Sequence, residues 1–293
     1  MNRAYNLSGR FTPIGILASV AAGLASGFPV AAIYAWGIIQ IPEEKLACLA
    51  TISYGALLGA AVALAGKWGK VRNIYVGGAL ASGSAAISFY CSWAFWVKDI
   101  LHTFNHENVS AFILMQQPHA LWEVIQQINQ YGTWGTSAGK PATGTELWVI
   151  WACEGIAVLG TAAMTAVTIL QAQPFCERCQ LWCSATEKLC LSPASNLGQI
   201  KLQLQSRDLS FLQKLVPGNK NMSHLAAELH SCRECHELNT LTLRQTFIER
   251  SKFGKPKINH VSLAAKLLLS CQEADLLRDT AQGIKQLSKA TNA

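Results

Sequence analysis

The chain has 293 residues, 51% of them hydrophobic and only 14% charged, with a mean hydropathy of +0.22 and a formal net charge of +7. A charged fraction well below the roughly 25% of soluble proteins excludes a disordered chain and an ordinary soluble enzyme surface. The mean hydropathy is still low for a chain buried wholly in lipid, so the average blends two unlike parts. Ten cysteines at this length are too few for a small disulfide scaffold.

Charge divides the chain, because a charged side chain is costly at a bilayer centre. No charge occurs for 32 residues between Arg10 and Glu43, for 21 between Lys45 and Lys67, and for 25 between Arg72 and Lys98. A fourth stretch, Leu147 to Cys176, contains only Glu154. Each reaches the ~20 apolar residues that a helix needs to cross a ~30 Å hydrocarbon core. Four transmembrane helices are therefore expected at residues 13–40, 46–66, 73–97 and 147–171. The first is far longer than a signal-peptide core and reads as a retained span.

Lys and Arg set the orientation. They number two in residues 1–12, one in 43–45, three in 67–72, two in 98–146 and sixteen in 177–293. Both termini are then cytosolic, in a bacterial inner membrane. Trp36, Trp93, Trp96, Trp148 and Trp151 fall near the outer interface, where amphipathic rings prefer to lie. Close helix approach in lipid depends on small residues, and Gly23 with Gly27, Gly55 with Gly59, and Gly78, Ser82 and Ala86 supply them at spacings of four. This supports either a compact bundle or a homo-oligomer. Pro29 is expected to kink the first helix.

The outer loop, residues 98–146, contains an amphipathic pattern. Pro118 suits a first helical turn, and Leu121, Trp122, Ile125, Ile128 and Tyr131 follow on one face. Such a helix lies on the membrane surface or caps the bundle. His102, His106 and His119 lack a carboxylate or cysteine at matched spacing and read as solvated histidines.

Past residue 172 the composition changes: sixteen Lys or Arg stand against ten Asp or Glu. Residues 172–293 read as a soluble cytosolic domain. It contains Cys176-Glu177-Arg178-Cys179 and Cys232-Arg233-Glu234-Cys235, two C-x-x-C turns separated by 52 residues. Each two-residue spacer lets one tight knuckle present two sulfurs to the same ion, so four thiolates can occupy the corners of a tetrahedron around structural Zn²⁺. Unrelated buried thiols would not explain the paired spacing. A redox C-x-x-C would need a βαβ pattern that is missing, and the C-x-x-C-H match ending at His236 would need a non-cytosolic location for haem attachment. His236, Cys183 or Cys190 could replace one of the four ligands. Cys48, Cys91, Cys153 and Cys271 read as packing residues.

On these knuckles the tail resembles a zinc-ribbon-type module, in which strands hold two knuckles. In layout the chain is similar to uncharacterised bacterial multi-span membrane proteins with a cytosolic zinc-ribbon-type tail. The resemblance implies an α-helical membrane bundle plus a small α+β zinc-ribbon-like C-terminal domain. The long spacer requires an insertion between the knuckles.

Within that insertion, Ile200, Leu202 and Leu204 alternate as in a strand, Asp208 can cap a short helix carrying Leu209, Leu212 and Leu215, and Ser223 opens a helix through Leu225 and Leu229. After the second knuckle, Leu241, Leu243, Gln245 and Phe247 share one strand face. Residues 252–257 form a turn, and 261–269 a further strand. Ser270-Cys271-Gln272-Glu273 fits a capping box that opens a final helix with Leu276, Leu277 and Ile284. The basic turn of Arg250, Lys252, Lys255 and Lys257 suits anionic lipid headgroups, and the scarcity of aromatics there argues against a nucleic-acid partner.

Glu154 is the one ionisable residue deep in a span. It reads either as a proton or cation site facing the bundle interior, or as a protonated acid hydrogen-bonded to Ser53, Thr51 or Gln40. No catalytic motif is visible. The expected function is a membrane-tethered docking or assembly module for a cytosolic protein partner. The alternatives are a small channel or transporter using Glu154, and a membrane thiol oxidoreductase.

Overall fold

The structure, a computed structural model, describes residues 4–41, 43–105, 109–133, 141–192, 197–219, 222–249 and 257–291. It divides into two compact units, Ser8–Ala172, and Met1–Leu7 together with Gln173–Ala293.

The first unit is helical. Among the described residues, four helices are long and apolar enough to cross a membrane: α1 (Pro13–Gln40), α2 (Glu44–Trp68), α3 (Ile74–Asn105) and α6 (Gly144–Gln171). The chain is thus built as a membrane protein. The Thr12 side chain accepts from Gly15 N at 3.0 Å to cap α1, and the Asn73 side chain accepts from Tyr75 N and Val76 N at 3.0 and 3.1 Å to cap α3. α1 continues through Pro29, and Ser26 bonds back to Ala22 O at 2.7 Å just before it. α3 continues beyond Lys98 and Asp99, which pair at 3.0 Å. Charge therefore marks where the apolar surface stops, not where the helix stops.

Packing inside this unit follows the small residues. A Cβ on Gly23 would lie 2.3 Å from Ser84 Oγ, and one on Gly59 would lie 2.2 Å from Ala162 O. Gly27 faces Ser88 and Gly55 faces Val158 and Thr161 in the same way. Both G-x-x-x-G motifs are used within one chain, α1 against α3 and α2 against α6.

Two shorter helices, α4 (Ala111–Gln116) and α5 (Pro118–Tyr131), join α3 to α6. Pro118 opens α5 as expected, and Leu121 and Ile125 are buried with Ala94, Val97, Leu147 and Trp151, so α5 caps the bundle. Trp122 and Tyr131 of the same face are 49% and 82% exposed, and Asn129 takes a buried place by donating to Gly144 O at 3.0 Å. The described residues include no placement for His106. His119, read as having no carboxylate partner, lies 3.2 Å from Glu123 one turn on, with both groups exposed.

The second unit holds a two-stranded hairpin, β1 (Phe175–Cys176) and β2 (Leu181–Trp182), and a four-stranded antiparallel meander, β3 (Ser184–Leu191), β4 (His224–Ser231), β5 (Asn239–Glu249) and β6 (Lys257–Leu269). Helices α7 (Leu197–Gln205) and α8 (Cys271–Thr291) and a 3-10 turn (Ser210–Lys214) complete it. Leu189, Leu191, Leu225, Leu229, Leu241 and Leu243 form a core with Ile200, Leu204, Leu212 and Leu277. The capping box is present: Glu273 N donates to Ser270 Oγ at 3.2 Å and Ser270 N donates to Glu273 Oε2 at 2.7 Å.

Two expected elements are corrected. Residues 200–204 form a helix rather than a strand. Ile200 and Leu204, four apart, are buried, whereas Leu202 is 66% exposed, so period 3.6 describes the burial and alternation does not. Residues 224–231 form strand β4 rather than a helix. Leu225, Ala227 and Leu229 alternate inward between β3 and β5, and pairing on both sides overrides the helix preference of Leu and Ala. Ser223 Oγ, read as a helix cap, instead accepts from Ile248 N at 3.0 Å. Of the basic turn, Arg250, Lys252 and Lys255 lie outside the described residues, and Lys257 opens β6 opposite Glu249.

The packing expectation also needs correction for three cysteines. Cys48, Cys153 and Cys271 are exposed, and only Cys91 is partly covered. A thiol is small and weakly polar, so burial is not required of it, and a helix surface that faces lipid suits it as well as a core.

Candidate functional site

The two knuckles come together in the second unit. Cys176 ends β1 and Cys179 lies in the β1–β2 turn, where Cys183 N donates to Pro174 O at 2.8 Å to close the hairpin. Cys232 and Cys235 lie in the β4–β5 turn, which Cys232 N closes by donating to Leu238 O at 3.0 Å. The four Sγ atoms of Cys176, Cys179, Cys232 and Cys235 all lie within 4.8 Å of one another. Such a cluster could hold a metal ion. Cys176 Sγ and Cys235 Sγ are 3.6 Å apart, far beyond the roughly 2.05 Å of a disulfide, and all four thiols are free.

Several supports aim these sulfurs. Arg178 N–H and Cys179 N–H donate to Cys176 Sγ, and Glu237 N–H donates to Cys235 Sγ. Tyr5 donates its hydroxyl to Phe175 O at 3.0 Å and accepts from Phe175 N at 2.9 Å, gripping the residue before Cys176. Tyr5 is itself held by its N–H to Lys266 O at 2.8 Å. On the other knuckle, Arg278 of α8 donates to Ser231 Oγ and Asn239 Oδ1 at 3.1 Å each, and Ser231 donates to Asn239 at 2.6 Å. Ser231 and Asn239 are fully buried and bracket the Cys232–Cys235 turn, so α8 fixes the second knuckle from behind. Arg178 also pairs with Glu237 across the two knuckles in an exposed contact.

Thiol acidity reflects the shared space. Loss of solvation pushes Cys179 up to about 12 and raises Cys176, whereas the Glu237 N–H holds Cys235 down at about 7. Four sulfurs this close cannot all ionise unaided, because like charges and a dry setting favour the protonated form. A bound cation removes that penalty by replacing the protons.

Of the substitute ligands weighed from sequence, Cys183 packs against the cluster at 1% exposure, where burial pushes its thiol up to about 12, and Cys190 and His236 are outside the cluster. His236 has a different role. It and Gln180 each follow the second cysteine of a knuckle and each adopt a left-handed backbone, with φ of +55° and +56°. Non-glycine residues bear a strain there. Changing His236 to Gly is therefore expected to leave metal content unchanged and to raise thermal stability by up to about 1 kcal/mol. Loss of metal from that variant would identify His236 as a ligand.

Glu154 sits inside the first unit. Its Oε1 accepts from the Tyr34 hydroxyl, and the Tyr34 and Thr51 hydroxyls are 2.8 Å apart, so Thr51 reaches the acid only through Tyr34. Ser53 and Gln40 are exposed and take no part. Sequence reasoning missed Tyr34 because 120 residues separate it from Glu154. The tyrosine is stacked on Tyr54 with ring centroids 4.4 Å apart, and Tyr54 and Ser88 share a hydrogen bond of 2.7 Å.

No family model, curated protein or solved structure matches this chain.

Proposed function

We propose that this chain is an inner-membrane protein of a bacterium, with both termini in the cytosol, whose C-terminal unit is a zinc-held, zinc-ribbon-like module that docks or assembles a cytosolic protein partner at the membrane. The carrying observation is the convergence of four cysteine sulfurs within 4.8 Å on two separate strand-flanked turns. Zinc supports this set best. A tetrahedral ion with Zn–S bonds of about 2.3 Å places its sulfurs about 3.8 Å apart, close to the 3.6 Å between Cys176 and Cys235. Thiolate-only coordination also leaves no open position for catalysis. The retained Lys and Arg in residues 67–72 and 177–293 support a cytosolic tail. A reducing compartment keeps the four ligands available.

The test is metal analysis of the purified full-length chain, paired with labelling of Cys271 by a membrane-impermeant maleimide. One zinc per chain is expected, with Cys271 labelled in inside-out vesicles and protected in right-side-out ones. A metal-free protein carrying a reversible Cys–Cys bond would replace this reading with a thiol oxidoreductase. The transporter alternative keeps one observation in its favour, the carboxylate of Glu154 within the bundle, and liposome flux that depends on Glu154 would establish it.

A further inference from the structure

Glu154 borders a small cavity whose composition is unusual. The lining combines the carboxylate with Tyr34, Phe89, Trp93, Trp96 and Trp151. Aromatic faces carry negative potential, and so does a carboxylate, so these groups favour a positive charge, while Ala35, Ile38 and Ser92 complete the lining. No Lys or Arg lines the cavity, and among the described residues Glu154 has only the Tyr34 hydroxyl as a hydrogen-bond partner, on Oε1. Oε2 is left to accept from something else. Glu154 is partly buried, and no cation is built in beside it.

A second chamber adjoins the first. Its volume is about 400 Å³, and it lies between α3, α5 and α6, lined by Leu121, Trp122, Ile125 and Trp148 among others. Phe89, Trp93 and Trp151 line both spaces, which meet along these side chains. The Trp93 and Trp151 rings meet edge to face at 4.9 Å. The small cavity, at about 30 Å³, holds a group the size of one water molecule or one ammonium. The larger one is within the size range of ligand pockets and is almost wholly apolar.

We propose that this pair of chambers binds an amphiphilic primary amine, its ammonium group against Glu154 Oε2 inside the aromatic ring and its apolar body in the chamber beneath α5. Size selects the ammonium: a quaternary head is too large for the inner cavity. Charge selects it over a hydroxyl, because a neutral head gains nothing from the carboxylate. Apolarity of the outer chamber selects an aryl or alkyl body over a polar metabolite or a bare inorganic ion. This reading stands independently of the zinc module.

The tryptophans report occupancy directly. In the full-length protein in nanodiscs, 2-phenylethylammonium is expected to change tryptophan fluorescence saturably, while the uncharged 2-phenylethanol binds at least tenfold more weakly. Glu154→Gln is expected to weaken the ammonium at least tenfold and to leave the alcohol unchanged. Equal binding of amine and alcohol to the unmodified protein, or no saturable binding of the amine, overturns the proposal without recourse to any variant. Undiminished amine binding by a folded Glu154→Gln protein overturns it as well.

Discussion

Replacement of Cys232 by Ser is expected to lower the stability of the C-terminal unit by at least about 3 kcal/mol, seen as a fall of about 10 °C or more in its thermal transition. Cys232 is 1% exposed and belongs to the four-sulfur cluster, so serine leaves both a poor metal ligand and a buried hydroxyl. Structural zinc contributes about 10–16 kcal/mol in small peptide modules, comparable to the whole net stability of a domain. Here the four-stranded sheet has its own apolar core, so part of the unit is expected to persist when the metal is lost. Treating the unmodified protein with a chelator is expected to reproduce the shift, and adding chelator to the Cys232→Ser protein to add nothing. Cys271→Ser, at an exposed position outside the cluster, serves as the control and is expected to leave the transition in place. A chelator that leaves the unmodified protein's transition unchanged would show that no metal holds the knuckles.

The second large effect is expected in the membrane unit. Gly59→Leu is expected to destabilise the bundle by about 3 kcal/mol or more, because the new side chain meets backbone that cannot rotate away. Its Cβ would stand 2.2 Å from Ala162 O and 2.9 Å from Ala162 C, so α2 and α6 must separate to admit it. Separation exposes Leu58, Val62 and Val158, all of which are buried in the interior of the bundle. Gly37→Ala makes the contrast, since a Cβ there meets nothing within 4 Å. That change is expected to be neutral or to stabilise by up to about 1 kcal/mol through helix propensity. Thermal unfolding in detergent, followed by size-exclusion monodispersity, distinguishes the two. Comparable behaviour of Gly59→Leu and Gly37→Ala would show that α2 and α6 do not pack through these glycines.

The elements that were legible in the sequence are those with long, self-contained signals. Charge exclusion over more than twenty residues located α1, α2, α3 and α6, because the solvent each helix must tolerate is written in its composition. Ser270 and Glu273 announced α8 because a capping box is made by residues three apart. Short apolar runs were ambiguous. Leu202 and Leu204 suit a strand as well as a helix, and Leu225 to Leu229 suits a helix as well as a strand; the partner surface, not local preference, chose between them. For the four-cysteine cluster, spacing within each knuckle was local and readable. The supports were not: Tyr5 and Arg278 reach the knuckles from distant parts of the chain.

Sequence by itself determined the two-part composition, the four apolar helices and the identity of the paired cysteines, because hydrophobic length and thiol spacing are properties of contiguous residues. Only the tertiary structure decided which sulfurs meet, that both G-x-x-x-G motifs are used inside one chain, and that Glu154 answers to Tyr34 within an aromatic ring. Those outcomes depend on which helix or strand lies beside which, and a partly buried carboxylate acquires its chemistry from neighbours that the chain order keeps far apart.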